Sequence, residues 1–141
     1  MIEVEQTEFA DYTAVPVRRG NCLAACVASI FEVPLSRLEG VYDSQALWRW
    51  LEKHFPGVGM IARTYDESVP FGSRVPEGFT GKPGLTPWIA VVQSPRTPHA
   101  HCVVMVADRL EWDPHPQRED GVGPQLGDYV FTLDTPESLS F

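Results

Sequence analysis

Apolar and polar positions follow two rhythms along this chain, and the point of change divides it. From residue 22 to 32 the apolar residues Leu23, Val27, Ile30 and Phe31 recur at helical spacing, and Pro34 blocks continuation. This predicts a helix from Cys22 to Glu32, with Leu35 to Leu38 adding a short turn before Gly40. A second helix is expected to begin after Asp43 or Ser44. Leu47, Trp48, Trp50 and Leu51 give it apolar faces, and His54-Phe55-Pro56-Gly57 reads as its stop. Beyond that the rhythm is that of strands. Val58 to Arg63, Trp88 to Gln93, His101 to Ala107, Leu110 to Trp112 and Tyr129 to Leu133 are the candidates, with Asp108-Arg109 as a tight turn.

Between the strands, residues 66–87 carry four prolines and four glycines, and residues 114–127 form a second Pro/Gly-rich stretch. Both read as long loops, and the segment from Asp66 to Pro87 is a candidate cover for a substrate. The first twenty residues are polar and irregular, with Pro16 blocking a helix. Helices followed by strands, without an internal repeat, predict a single α+β domain over residues 1–141. Its helices are expected to pack on one side of an antiparallel sheet.

Composition narrows the function more than the fold. A chain of 141 residues with 43% hydrophobic content can bury one sizeable core. The formal net charge of −8, with Arg18-Arg19 the only adjacent basic pair, argues against nucleic acid as a partner. The four tryptophans, 48, 50, 88 and 112, are accordingly assigned to the core, with Trp112 also a candidate shield for a neighbouring site. Glu3, Glu5 and Glu8 read as a solvated edge. No apolar run is long enough to span a bilayer, and no apolar stretch follows Met1, so neither a membrane segment nor a signal peptide is expected. Cysteines 22, 26 and 102 do not close a disulfide framework, and the expected compartment is the cytoplasm.

Candidate chemistry concentrates where the first helix begins. In Gly20-Asn21-Cys22, Asn21 is expected to cap the helix with its side chain, and Cys22 sits in the first turn. The positive end of the helix dipole there favours thiolate over thiol. Such a nucleophile needs a base, and the histidines are 54, 99, 101 and 115. His54 is expected to serve as a C-terminal cap. His101 opens the strongest strand, where its ring can face a helix lying across the sheet, and His99 shares that face if the strand continues back. A helix-borne Cys22 and a strand-borne His101 are the parts of a thiolate–imidazolium pair.

Cys26, one turn after Cys22, is expected inward as a small core residue. Cys102 alternates with His101 and is expected on the opposite side of the strand, also in the core. Two competing readings use the same residues. Cys22, Cys26, His99 and His101 have the inventory of a Cys2His2 zinc site. Alternatively the domain is a catalytically silent binding module, such as a phage or host-interaction protein, with Cys22 structural.

Asn-Cys-Leu-Ala-Ala-Cys-Val at 21–27 resembles the active-site helix of papain-like cysteine peptidases. The similarity is greatest to double-glycine leader peptidases and to small phage-encoded proteins of that superfamily. His-Cys-Val-Val at 101–104 is similar to the family's His-x-Val-Val strand, Asp113-Pro114 to its later Asp-Pro, and Gln6 to its oxyanion-hole glutamine. The resemblance implies a compact papain-like fold and a cysteine-dependent hydrolase of peptide or isopeptide bonds, needing no cofactor or metal. Its catalytic residues would be Cys22, His101 and Asp113, with Gln6 in the oxyanion hole and a peptide or protein as substrate. Transferase and deamidase chemistry use the same pair.

Two departures follow from the residues themselves. The family's usual Asp-Cys-Gly is Asn-Cys-Leu here, and the sixteen positions from Gln6 to Cys22 require the intervening segment to fold back. With a two-residue turn at Asp108-Arg109, Val104 lies opposite Asp113, which then faces away from His101. A bulge, or an early strand end after Trp112, is needed to bring them together. His115 and Gln117 lie nearer the register opposite His101 and rival Asp113 for the role of orienting it.

Overall fold

The computed structural model describes residues 1–11, 13–76 and 86–133. Two α-helices, α1 (Cys22–Phe31) and α2 (Ser44–His54), precede five strands: β1 (Val58–Val69), β2 (Pro87–Gln93), β3 (Ala100–Val106), β4 (Arg109–Trp112) and β5 (Gln125–Leu133). The strands form one sheet in the order β1-β5-β2-β3-β4, with every neighbouring pair antiparallel. This is the expected α+β class. α1 lies against β3 and α2 against β1.

Each helix ends for a local reason. α1 stops one residue short of the expected Glu32, which takes a left-handed conformation (φ 56°) just before Val33-Pro34. α2 starts on Asp43, whose side chain accepts a hydrogen bond from the Ala46 N–H at 2.8 Å. His54 is its last residue, and the cap position falls on Phe55.

The sheet is covered on both faces. The larger core joins Leu23, Val27 and Phe31 of α1 and Leu47 and Leu51 of α2 to Ile89, Val104, Phe131 and Leu133 of the sheet. The smaller lies on the other face, where Trp88, Ala90, Val92, Val103, Met105 and Val130 pack with Phe71 and Val122. Three of the four tryptophans are buried, as expected, whereas Trp48 is exposed.

Strand limits differ from the sequence expectation in three places. β1 runs on from Arg63 to Val69, because an exposed edge strand accepts the polar run Thr64–Ser68 without an apolar rhythm. Residues 66–69 of the expected first loop are therefore strand, and 77–85 lie outside the described residues. Phe71 of that segment packs in the far-side core, so its described part sits on the face away from α1 and does not cover the cleft described below. β5 begins at Gln125, four residues before Tyr129, and shortens the second loop. Gly127 permits this, since a Cβ there would run into the Arg63 carbonyl of β1. The third difference is the β3–β4 turn. It is Ala107-Asp108, with Val106 paired to Arg109 and Met105 to Leu110, and the register then shifts so that Val104 faces Trp112. Glu111 is the extra residue of a β-bulge.

The chain before α1 forms an extended strip across one end of the sheet. Ile2 N–H donates to the Ser29 carbonyl, Val4 N–H to the Ser29 hydroxyl, and Gln6 N–H to the Pro114 carbonyl at 3.0 Å. Trp112 Nε1 donates to the Val4 carbonyl. Residues 9–11 and 13–20 fold back, closed by the Asp11–Arg18 bridge. This return is what the sixteen-residue separation of Gln6 from Cys22 demands.

Candidate active site

Asn21 is buried and does not cap α1 with its side chain. Its Oδ1 accepts instead from the Thr7 and Glu8 N–H groups, both at 2.9 Å, and its Nδ2 donates to the Thr7 hydroxyl. The expected N-cap is thus spent on holding the returning strip. The consequence is chemical: no Asn21 cap occupies the first-turn N–H groups of α1, and the dipole's positive end stays directed at Cys22.

Cys22 is half-buried and lines a cleft of about 340 Å³ together with Gln6, His101, Cys102, His115 and Arg96. Its thiol is held well below its usual pKa. The largest influence is a hydrogen bond from Cys102; burial opposes it, and the hydrogen bond and charge of His101 add to it. Cys102 carries the reciprocal effect, pushed well up by its hydrogen bond to Cys22 and by burial. Cys26 is fully buried in the core, as expected, and burial pushes its thiol up as well.

The bulge at Glu111 and the end of β4 at Trp112 supply the break in register that the sequence required. Because β4 stops opposite Val104, the edge of β3 at His101 is open, and the segment Asp113–His115 occupies it. His101 Nε2 donates to Asp113 Oδ1 at 2.7 Å, both residues being buried. That leaves Nδ1 as the ring nitrogen available to Cys22. Burial favours a neutral imidazole, but hydrogen bonds to Asp113 and Cys22, with the charges on both, raise the His101 pKa to about 9. Burial would likewise raise Asp113, yet the bonds from His101 and the His115 N–H, with the charge of His101, hold it below 3.8.

The rivals for the orienting role form a relay behind Asp113. The His115 backbone N–H donates to Asp113 Oδ1 at 2.9 Å, and the Gln117 N–H donates to His115 Nδ1 at 3.0 Å. Neither side chain replaces Asp113. The His115 ring stands edge-on to His101 at 6.0 Å and to Phe9 at 5.1 Å, and burial lowers its pKa. Arg118 ties the relay to the N-terminal strip by bonding Glu5 and the His115 carbonyl while lying over the Trp112 ring. Trp112 itself fills the helix-side core.

Gln6 is buried on the wall of the same cleft. Its Nε2 donates one hydrogen to the Glu8 carbonyl at 3.0 Å, and its Oε1 has no hydrogen-bond partner. The structure thus brings Gln6, Cys22, His101 and Asp113 to one end of the sheet.

Cys102 is buried in the helix-side core, as expected, and it is there that it bonds Cys22, a contact the sequence does not suggest. The zinc set fails to assemble: among the described residues no group of three or more His, Cys, Asp or Glu side chains is placed to hold a metal ion. His99 lines the cleft, and Cys26 is enclosed in the core. The residues that sequence reasoning missed are Cys102 and Arg118. Strand alternation marks the face that Cys102 occupies but not its contact with Cys22, and nothing local marks Arg118.

No protein-family model, no curated protein and no solved structure matches the chain. Among the described residues no helix is long and apolar enough to cross a membrane.

Proposed function

We propose that the protein is a cysteine-dependent hydrolase of peptide or isopeptide bonds, of papain-like type, acting in the cytoplasm. The observation that carries this reading is the buried 2.7 Å bond from His101 Nε2 to Asp113 Oδ1, behind a Cys22 sulfur that interacts with the same ring and opens into a cleft. A structural thiol has no need of a titratable partner with a buried carboxylate behind it.

In this reaction the Cys22 thiolate attacks the substrate carbonyl, forming a carbon–sulfur bond. The oxyanion is met by the Cys22 N–H at the start of α1 and by the second Nε2 hydrogen of Gln6. His101, protonated at Nδ1, gives that proton to the departing amine. Water then attacks the thioester with His101 as base, releasing the acid and restoring the thiolate. Asp113 fixes the ring orientation and stabilises the imidazolium. Gln6 binds the oxyanion, and the substrate is a peptide or protein chain laid across the cleft.

An electrophilic peptide probe tests the reading. Cys22 is expected to be labelled at neutral pH far faster than Cys26, Cys102 or a free peptide thiol, and a diverse peptide library to be cleaved by the wild type but not by Cys22→Ala. Labelling no faster than a free thiol would overturn it in favour of the silent binding module.

A further inference from the structure

The reaction above uses one thiol, yet a second meets it. Cys102 lines the same cleft as Cys22, and the two thiols share a hydrogen bond across the contact between α1 and β3. Its side chain belongs to the helix-side core, against which Cys22 also packs. In the hydrolytic cycle this thiol gives Cys22 a hydrogen bond that favours the thiolate, while His101 supplies the base and Gln6 with the Cys22 N–H the oxyanion donors. A serine hydroxyl would give the same bond without adding a second oxidisable group.

We propose that Cys102 is the resolving thiol of a reversible peroxide switch, closing a disulfide with Cys22 and so shutting the hydrolytic site. The inference rests on the proposed role of Cys22 as nucleophile and deepens it by naming the regulation of that site. The chemistry balances with a peroxide as oxidant. The Cys22 thiolate attacks one peroxide oxygen; the O–O bond breaks, the sulfur becomes a sulfenic acid, and the leaving oxygen takes the proton of His101 to depart as water or alcohol. Cys102 sulfur then attacks Cys22 sulfur. The S–O bond breaks, the Cys102 proton leaves with the hydroxyl as water, and a disulfide remains. Two thiols have lost two electrons and the peroxide has gained them. A dithiol reductant takes the Cys22–Cys102 disulfide back to two thiols by exchange, and is itself oxidised to a disulfide.

Geometry selects Cys102 over Cys26 as the resolving partner. Cys26 lies one helical turn further along α1, fully buried, and is no hydrogen-bond partner of Cys22. Side chains that already meet require little backbone movement to bridge. Without a resolving thiol, a cleft-lining thiolate oxidises onward to the irreversible sulfinic acid.

The test is a peptide map of the folded wild-type protein after mild hydrogen peroxide treatment. A linked Cys22–Cys102 peptide, lighter by two hydrogens, is expected, with loss of electrophile labelling at Cys22 and its full return on adding dithiothreitol. In Cys102→Ser the same dose is expected to give sulfinic acid at Cys22 and no recovery. If that variant misfolds, the wild-type map still decides. A Cys22–Cys26 link, or sulfinic acid at Cys22 with Cys102 still a free thiol, overturns the proposal. The reading of Cys22 as a nucleophile fails separately, if the reduced protein labels no faster at Cys22 than a free thiol.

Discussion

Two buried aspartates, one in β5 and one just past the end of β4, each accept bonds from a charged or titratable side chain and end in different chemistry. Asp128 of β5 lies on the far face, where Arg63 of the neighbouring strand grips both of its oxygens, at 3.0 and 2.9 Å, and the Tyr65 hydroxyl adds a third bond. Gln125 donates to Tyr65 in turn, and Arg74 stacks over the Tyr65 ring at 4.0 Å. Asp113 has both of its donors on Oδ1, and Oδ2 has no hydrogen-bond partner. What separates them is the donor. The hydrogen bond to Asp128 raises the Arg63 pKa further, and burial followed by Asp128 pushes Tyr65 up to about 12, so both donors keep their protons through neutrality. His101, at about 9, is the donor nearest neutrality, and its ring also meets Cys22 at a cleft. A buried carboxylate is therefore no sign of chemistry in itself. It becomes one when its partner titrates and opens onto a cavity.

The sharpest way to break this contrast is at the titrating partner. His101→Ala is expected to slow alkylation of Cys22 by iodoacetamide at pH 7 by roughly tenfold to a hundredfold, toward the few per cent thiolate of an unassisted cysteine. Asp128→Asn is expected to leave that rate within about twofold, because its network does not reach the cleft. Equal losses in the two variants, measured by mass spectrometry of the labelled peptides, would erase the distinction between the two aspartate networks.

Replacing the aspartates themselves separates tuning from stability. Asp113→Asn removes the anion behind His101 and is expected to lower the His101 pKa by about 1–2 units, read from the imidazole nitrogens by NMR titration. Asp128→Asn is expected to cost about 2 kcal/mol in urea unfolding, since Tyr65 loses a charged acceptor while the exposed Arg63 turns to water. The pH dependence carries the opposite signs of the two site groups. The raised pKa of His101 contributes stability that is complete below 6.5 and lost as pH rises through about 9. The depressed pKa of Asp113 contributes stability present above 3.8 and lost as pH falls through its folded value. The stability margin of wild type over Asp113→Asn is thus expected to be widest between about 3.8 and 6.5 and to shrink toward 9, measured as urea midpoints across pH.

The sequence made the elements of the site legible and concealed its joints. Helical spacing ending at Phe31 and the Val-rich run after His101 located α1 and β3 within a residue or two, because burial on one face writes a period into the chain. Cys22 and His101 were legible for the same reason, each standing at the end of a strongly patterned element. The β3–β4 ladder required an irregularity to pair His101 with Asp113, but that it is a bulge at Glu111 could not be read. One extra residue in an exposed edge strand leaves no hydrophobic trace. Asn21 was misread for a related reason. Its type suits a cap, and only the long-range return of Thr7 and Glu8 decides that its side chain serves them instead. The far-side network was not legible at all, since its Arg63–Asp128 pair joins residues distant in sequence across two strands.

That network offers the finest test of the contrast. Tyr65→Phe removes a single hydroxyl from Asp128 while both Arg63 bonds stay in place, and the Gln125 amide loses one of its two acceptors, keeping the Arg74 carbonyl. The expected cost is about 1 kcal/mol in urea unfolding, close to that of one hydrogen bond to a charged acceptor less the rehydration its partners regain. Cys22 alkylation and the His101 titration are expected to stay unchanged. A slower Cys22 in this variant would mean that Asp128 on β5 communicates with His101 on β3 through β2, the strand between them, and that the far-side carboxylate is part of the site after all.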